Sequence, residues 1–283
     1  MKTAIVTDTN SGITPELAEE LGVHLISMPF FVGGKTYYEG RDISHPLFFE
    51  KMREGVDLTT SQPSPAVLTA LWDTLMETHD RILYFPMSSR LSGSCATARA
   101  LAQDYDGRVL VVDDQRISVT LMQSVCNART LLAQGKTAEE VRDILEEEKF
   151  LSSIYIAVNT LEYLKKGGRV TAAGAAMATI LSIKPVLQIQ GGQLDAYKKV
   201  RGMNAARSVL MDALRKDLDT RFRDLDMKVF AGYSGGDAAL GEAWREEVQR
   251  DFPEYEVELI SLPLSICCHT GEGALGVACA KPW

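Results

Sequence analysis

Two short stretches place several hydroxyl side chains at corners where a strand passes into a helix. The first is SSRLSGS, residues 88–94, which follows the apolar run RILYFPM and precedes the helical pattern CATARALAQDY. The second is TTSQPSP, residues 59–65, in which Ser64-Pro65 marks a helix start. Such corners bind anions or mount a nucleophile. If the two corners converge, they form a receptor for one anion, although serines at a helix start are more often simple caps.

Two further segments contain polar side chains suited to ligand binding. In LEYLKKGGRV, residues 161–170, two glycines stop a helix and leave Arg169 on the exit turn, where it reaches an anion or pairs with a carboxylate. The small residues that follow, 172–178, let a helix approach another backbone or leave a slot beside it. In CCHTGEGALG, His269 lies next to flexible glycines, and it is equally compatible with anion binding and with a structural role. An apolar slot that ends in hydroxyl donors suits an amphiphile.

A competing interpretation is a serine hydrolase. GYSGG, residues 232–236, matches the nucleophile pattern G-x-S-x-G around Ser234, with a strand before it and a helix after it. Its acid and base would have to be Asp251 and His269, in a section too short to rebuild a hydrolase sheet. A glycine-rich turn before a helix is therefore favoured. An esterase or lipase that uses Ser234 or a serine of residues 88–94 stays as the alternative.

Composition narrows the function classes. The 283 residues are 46% hydrophobic and 24% charged, which is ordinary for a globular protein. Lysine and arginine number 30 against 38 acidic residues, a net charge of −8, and they are scattered, which disfavours a nucleic-acid partner. The amino-terminal segment reads as a strand rather than a signal peptide, and no apolar run approaches the roughly 18 residues that span a bilayer. We expect a soluble, cytoplasmic protein without stable membrane insertion.

The five cysteines give no metal site. Cys267 and Cys268 precede His269, but no second cluster completes a zinc tetrahedron. The odd number of cysteines and the vicinal pair favour reduced thiols. We therefore expect the pair to be small buried residues in a strand, and we expect no metal and no cofactor.

The order of elements predicts an α/β protein. In the first half, TAIVTD, VHLISMPFFV, RILYFPM and RVLVVDD read as strands separated mostly by helices, which predicts a parallel, Rossmann-like sheet. Hairpins are expected at Gly33-Gly34 and Gly191-Gly192. A second α/β series begins with IYIAVN. We expect one domain over 1–155, carrying the hydroxyl-rich corners, and a second over 156–283.

Seven segments in order resemble one family. TAIVTDTNSGIT, TTSQPSP, SSRLSGS, LEYLKKGGRV, IKPVL, KKVR and HTGEGALG are similar to motifs of the DegV family of bacterial fatty-acid-binding proteins, over residues 3–280. The resemblance implies two α/β domains that enclose one long-chain fatty acid between them. It also implies a non-catalytic carrier. Family members include binding subunits of fatty acid kinase, which present the acyl carboxylate to a separate kinase subunit that supplies the ATP site and metal.

The resemblance also implies residue roles. Its carboxylate ligands map to Ser61 and Ser92, with Thr60 and the backbone around Gly93 as neighbours. The other polar residues near the site are Arg169 and His269, and Arg201 at the end of KKVR serves either the ligand or the kinase contact. The acyl tail would lie in an apolar tunnel between the domains. The cysteine pair before His269 is not a feature that the resemblance explains.

Overall fold

A computed structural model describes residues 1–176 and 183–283. Within these ranges the strands are β1 (Thr3–Asp8), β2 (His24–Ile26), β3 (Pro29–Val32), β4 (Lys35–Tyr38), β5 (Leu58–Thr60), β6 (Arg81–Phe85), β7 (Val109–Val111), β8 (Ser152–Ala157), β9 (Ile183–Ile189), β10 (Asp195–Arg201), β11 (Lys228–Tyr233), β12 (Val257–Ser261) and β13 (Leu275–Ala280). The α-helices there are α1 (Pro15–Leu21), α2 (His45–Arg53), α3 (Pro65–Met76), α4 (Ser94–Ala102), α5 (Val119–Ala133), α6 (Ala138–Glu147), α7 (Glu162–Gly167), α8 (Ala172–Ala175), α9 (Met203–Asp219), α10 (Ala238–Asp251) and α11 (Leu264–Thr270). Of the small-residue segment 172–178, positions 177 and 178 lie outside the described residues.

The first half contains the expected parallel sheet, in the order β2-β1-β6-β7. Alternate residues of its strands face opposite sides because side-chain direction reverses at each residue of a strand. Ile5 and Leu83 pack with helices α1, α5 and α6, whereas Val6 and Tyr84 pack with α3 and α4. Both faces of the sheet are therefore covered, and this confirms the α/β fold.

The segment VHLISMPFFV does not form the single strand that its composition predicts. It divides into β2 in the parallel sheet and β3 in a separate antiparallel sheet, β4-β3-β5. The division falls at Ser27 and Met28, where the Met28 amide donates to Thr9 Oγ1 at 3.0 Å, just before Pro29 begins β3. The hairpin predicted at Gly33-Gly34 joins β3 to β4. Thr60, at the end of β5, takes its position from this small sheet.

Three helix ends lie where capping residues and glycines in the sequence predict them. Ser64 caps α3 by accepting from the Val67 amide, and Thr14 caps α1 by accepting from the Leu17 amide. Gly168 ends α7 with a left-handed backbone, φ 68°. A side chain at this φ is strained, so the glycine fixes where the chain turns toward Arg169.

The second half contains a six-stranded mixed sheet, in the order β10-β9-β8-β13-β11-β12, in which only β11 and β12 pair in parallel. The hairpin predicted at Gly191-Gly192 joins β9 to β10. One face of the sheet packs against α9 and α10, with Tyr155 and Trp244 among its buried residues. The opposite face turns toward the first half of the chain.

The division into domains stays a proposal. The boundary expected near residue 155 falls inside β8, which belongs to the six-stranded sheet. We propose to place it in the turn just before Ser152. Among the helices of residues 1–176 and 183–283, none is both long enough and apolar enough to cross a lipid bilayer.

Candidate functional site

A cavity lies between the six-stranded sheet and the carboxyl ends of the parallel strands. Asn10, Met87 and Ser118, which line it, follow β1, β6 and β7 respectively. The chain leaves β1 toward β2 on one side and reaches β6 on the other, so the cavity opens at the switch point where open α/β sheets bind ligands. Its empty volume is about 1020 Å³, including the space at its mouth. We call it the inner cavity.

Most of the inner cavity is apolar. The six-stranded sheet supplies a wall of aliphatic and aromatic side chains, and the first half supplies the opposite wall; the residues that form these walls are Met28, Met87, Leu91, Ile117, Val119, Ile154, Ile156, Leu164, Ile189, Leu194, Phe230, Ile260, Leu262, Ile266, Val277 and Ala278. An apolar surface of this kind can bind a hydrocarbon chain, because each Å² of apolar area that is removed from water contributes roughly 25 cal/mol.

Two glycines form the floor of the inner cavity. Gly232 on β11 and Gly276 on β13 are register partners, and both line the cavity. Their outer neighbours in the same row are Ile156, opposite Gly276, and Ile260, opposite Gly232. The missing side chains leave a trough across the middle of the sheet. Glycine inside a strand often marks a close approach by a ligand, and this is the sequence signal from which the trough could have been found.

Besides Asn10, Ser118 and Ser265, a second set of polar side chains lines the inner cavity. They come from four separate segments: Thr60 and Ser61 at the end of β5, Ser92 just before α4, Arg169 just after α7, and His269 in the last turn of α11. The two hydroxyl-rich corners thus line one cavity, and they do so together with the predicted arginine and histidine. We call these five residues the polar cluster.

His269 connects the two halves of the chain within the polar cluster. Its Nε2 lies 2.8 Å from Thr60 Oγ1 in a hydrogen bond, and its ring packs against Gly167, where an added Cβ would lie 2.1 Å from Nδ1. Burial, with a smaller contribution from the Arg169 charge, lowers the pKa of His269 from 6.5 to about 4. The imidazole is therefore neutral at pH 7. Its buried Nδ1 has no hydrogen-bond partner in the described residues.

Arg169 supplies the positive charge of the cavity. Its guanidinium donates to the carbonyl oxygens of Leu91, at 3.4 Å, and Gly167. Among the described residues, no Asp or Glu side chain lines the inner cavity. Among the lining residues that the structure describes, Arg169 is therefore the one that is permanently charged, and it lies near Ser61 and Ser92. The amino end of α4 begins two residues after Ser92, and its dipole also favours an anion.

A carboxylate that no sequence pattern singles out holds helix α11 in place. Glu39, which follows β4, is 8% exposed and accepts from the amides of Leu264 at 2.5 Å and Ser265 at 2.9 Å. These are the first two residues of the helix, whose amides have no partner inside it. Ser265 Oγ also donates to Asn10 Oδ1 at 2.8 Å. Both contacts fix the helix that carries His269.

A comparison with known families identifies the fold. The sequence profile of the DegV family matches residues 2–281. The chain belongs to the DegV family. It is 32% identical to a DegV domain-containing protein of Deinococcus radiodurans over 98% of both chains.

Solved DegV structures superpose on the whole chain. A fatty-acid-binding DegV family protein of Thermus thermophilus is 32% identical, with a TM-score of 0.89, and the match covers 99% of this chain and 100% of that one. DegV of Bacillus subtilis, a fatty acid binding protein, is 27% identical, with a TM-score of 0.86 and 99% coverage of both chains.

The polar cluster differs in one respect from the predicted receptor of two converging helix starts. The cap of α3, Ser64, is exposed and does not line the cavity, so this corner contributes Thr60, Ser61 and Gln62 instead. Gln62 joins it to the other corner, because its Nε2 donates to Thr97 Oγ1 of α4 at 3.1 Å. Gly93, predicted as a neighbour of the ligand, is exposed and does not itself line the cavity, although Ser92 beside it does.

Ser234 has the surroundings of a structural residue. It is 2% exposed, and its hydroxyl donates to the Gly271 carbonyl at 2.6 Å. His269, the histidine that a triad would need, is bonded to Thr60 instead. Ser234 also lies outside the inner cavity lining. The favoured turn reading, with Asp237 capping α10, agrees with this geometry.

One expectation needs correction. Cys267, Cys268 and His269 belong to α11 and not to a strand or loop, because Pro263 ends the extended segment and Glu39 caps a helix at Leu264. Both cysteines are buried, as expected, and burial raises the pKa of each thiol. Arg201 ends β10, is exposed and is not among the described residues that line the inner cavity, and its predicted role for the ligand or for the kinase contact stays a prediction.

Proposed function

We propose that this protein binds one long-chain fatty acid, with its hydrocarbon tail in the inner cavity and its carboxylate at the polar cluster. One observation carries the proposal: an apolar cavity with a single permanent charge, Arg169, beside hydroxyl groups at one end. A ligand that fits must be mostly hydrocarbon and carry one negative group at its end. A long-chain fatty acid has this composition.

The polar cluster has the groups that a carboxylate needs. The hydroxyls of Ser61 and Ser92 come from opposite corners and donate to its two oxygens. Arg169 compensates its charge, and His269 carries an unpartnered Nδ1 at the same end. Binding of an anion beside His269 also favours the protonated imidazole, so it should raise the pKa of His269 above the value of about 4 that burial sets.

The relatives support the same ligand class. The Thermus thermophilus and Bacillus subtilis proteins, both fatty acid binders, align with essentially the whole chain. The role is that of a carrier and not of a hydrolase, since Ser234 is buried and bonded to a backbone carbonyl. Tail burial, worth roughly 0.8 kcal/mol per methylene, supplies most of the affinity, and the polar cluster supplies orientation.

We further propose that the bound carboxylate is presented to a fatty acid kinase subunit for phosphorylation. Ser61 of the polar cluster and the neighbouring Gly93 are exposed, so the acyl oxygen would lie near the surface, within reach of a partner. Arg201 is exposed on β10 and is our candidate partner contact. Holding the oxygen in line with ATP is itself a catalytic contribution to phosphoryl transfer.

Native mass spectrometry of the purified protein tests the binding proposal. We expect a co-purified mass of one acyl chain, which is lost or weakened when Ser61→Ala is combined with Ser92→Ala. Absence of lipid, together with turnover of p-nitrophenyl esters that Ser234→Ala abolishes, would favour the hydrolase. The kinase proposal is tested by acyl phosphate formation with a catalytic subunit and ATP. Arg201→Ala should reduce formation without changing fatty acid affinity, and reduced affinity would contradict its assignment to the partner.

A further inference from the structure

A second depression adjoins the inner cavity at Phe230 and Ile260. It runs between the start of α1, the segment 39–45 and strand β12, and its empty volume out to the surface is about 1260 Å³. We call it the outer cleft. Residues that line it include Gly12, Ile13, Leu17, Ile43, Met122 and Leu264.

Two side chains border both spaces. Phe230 and Ile260 line the inner cavity and the outer cleft alike. Phe230 is 1% exposed and belongs to a small apolar cluster with Val119 and Ala278. The tip of Ile260 rests on the backbone of Gly12, where an added Cβ would lie 2.3 Å from Ile260 Cδ1. The partition between the two spaces is therefore only one side chain thick at Ile260.

The glycine trough leads to this partition. Ile156, Gly276, Gly232 and Ile260 form one row across four neighbouring strands. Strands are spaced by roughly 4.8 Å, so the row is roughly 14 Å from end to end. Val170 pairs with Leu194, the residue just before β10, and Arg169 directly precedes Val170. Arg169 therefore places the polar cluster on the β9 side of the row. An acyl chain that starts at the polar cluster and crosses the two glycines meets Ile260.

We propose that Phe230 and Ile260 form the end wall of the acyl tunnel, that Ile260 sets the longest chain that fits, and that the outer cleft is a latent subsite for the methyl end of longer chains. This inference rests on the proposed function. Ile13, Leu17 and Ile43 supply apolar lining beyond the wall, next to the carboxylates of Glu16, Glu39 and Glu258, so the methyl end would lie on the apolar part of the outer cleft. Shortening Ile260 joins the two spaces.

The test uses Ile260→Ala and a matched control, Ile189→Ala, since Ile189 lines the inner cavity but not the outer cleft. Each delipidated protein is incubated with an equimolar mixture of palmitate, stearate, arachidate and behenate, and the bound acids are resolved by native mass spectrometry. We expect Ile260→Ala to raise the ratio of arachidate to palmitate roughly tenfold over the wild type, as burial of two of the four additional methylenes of arachidate would. The control should change this ratio far less.

A second readout locates the methyl end directly. A long-chain fatty acid with a terminal diazirine is bound and irradiated, and the labelled peptides are identified. We expect label within residues 12–17 or 39–45 in Ile260→Ala and not in Ile189→Ala. The opposite substitution, Ile260→Phe, adds bulk to the wall and should shift the mixture toward shorter chains. It also keeps the test decisive if the alanine variant fails to fold.

The outcomes separate this inference from the proposed function. If Ile260→Ala binds fatty acids with the wild-type length distribution and no label in the outer cleft, the wall does not limit chain length, although fatty acid binding stands. An unshifted distribution in Ile260→Phe overturns the inference equally. If the wild-type protein binds none of the four acids, the proposed function itself fails.

Discussion

Nε2 of His269 and Oγ1 of Thr60 are 2.8 Å apart, although 209 positions separate the residues in the chain. This contact joins a helix packed on the six-stranded sheet to the last residue of β5, and it sets the relative position of two groups in the polar cluster. It also ties the protonation of the histidine to the carboxylate site. The two residues therefore report on whether the site is empty or filled.

The first prediction concerns the pKa of His269. In the empty protein burial holds it at about 4, and the Arg169 charge contributes in the same direction. A bound carboxylate favours the charged imidazole, so we expect NMR titration to show a higher pKa for His269 in the complex. The control is Arg169→Gln, which should raise the pKa of His269 in the empty protein. An unchanged pKa on fatty acid binding would place the carboxylate elsewhere.

The same shift predicts a pH dependence of stability. Between pH 4 and 6.5 the unfolded chain binds a proton at His269 that the folded chain does not bind. The contribution of His269 to the free energy of unfolding therefore falls as the pH falls through that range. Buried Asp8 and Asp114 oppose it, because burial raises the pKa of each carboxyl to about 6. The difference between wild type and His269→Gln isolates the histidine. Urea unfolding should show that the difference in free energy of unfolding between wild type and His269→Gln varies between pH 4 and 6.5. If the free energy of unfolding has the same slope against pH in both proteins, the assigned pKa is wrong.

A third prediction concerns the glycine trough. Gly232→Val should weaken binding of a long-chain fatty acid by roughly tenfold or more, since its side chain occupies space that about two methylenes would fill. The backbone of Gly232 has room for a Cβ, which would lie 3.6 Å from the Ile260 side chain. Gly235→Val, outside the cavity lining, is the matched control. Isothermal titration with palmitate measures both, and equal affinities would show that the tail does not cross the trough.

A fourth prediction concerns Glu39. Removing its carboxylate leaves two buried amides of α11 without acceptors, so Glu39→Ala should lower the free energy of unfolding by about 2 kcal/mol. The control is Glu19→Ala at an exposed position, which should change the free energy of unfolding by less than about 0.5 kcal/mol. Urea unfolding gives both values. Fatty acid affinity should fall as well, because α11 carries His269. A neutral effect of Glu39→Ala on stability would mean that the helix is fixed by its other contacts.

Features that depend on neighbouring residues were predictable from the sequence. The Ser64 and Thr14 caps, the stop at Gly168 and the two glycine hairpins follow from local backbone preferences, and the structure contains them. The parallel sheet followed from apolar runs that alternate with helices. All five residues of the polar cluster were selected from the sequence, because they lie in short segments of unusual composition and because the family resemblance points to the same positions.

Features that depend on distant partners were not predictable. VHLISMPFFV is uniformly apolar, and only its pairing with two different sheets reveals the break before Pro29. The CCHT segment looked like a strand because its helical state depends on a cap from Glu39, which lies 225 positions away. The trough can be recognised only from the register of β11 against β13, which places Gly232 and Gly276 side by side.

The most direct test of the central claim is the affinity of the delipidated protein for palmitate and for the matching fatty alcohol, measured by equilibrium titration. Ser61→Ala with Ser92→Ala removes two hydroxyls from the polar cluster, and Thr59→Ala with Ser89→Ala removes one exposed hydroxyl from each corner as the control. We predict that the first pair weakens palmitate binding by roughly 100-fold and leaves alcohol binding unchanged. Equal palmitate affinity in the two double variants would contradict a carboxylate site formed by Ser61 and Ser92.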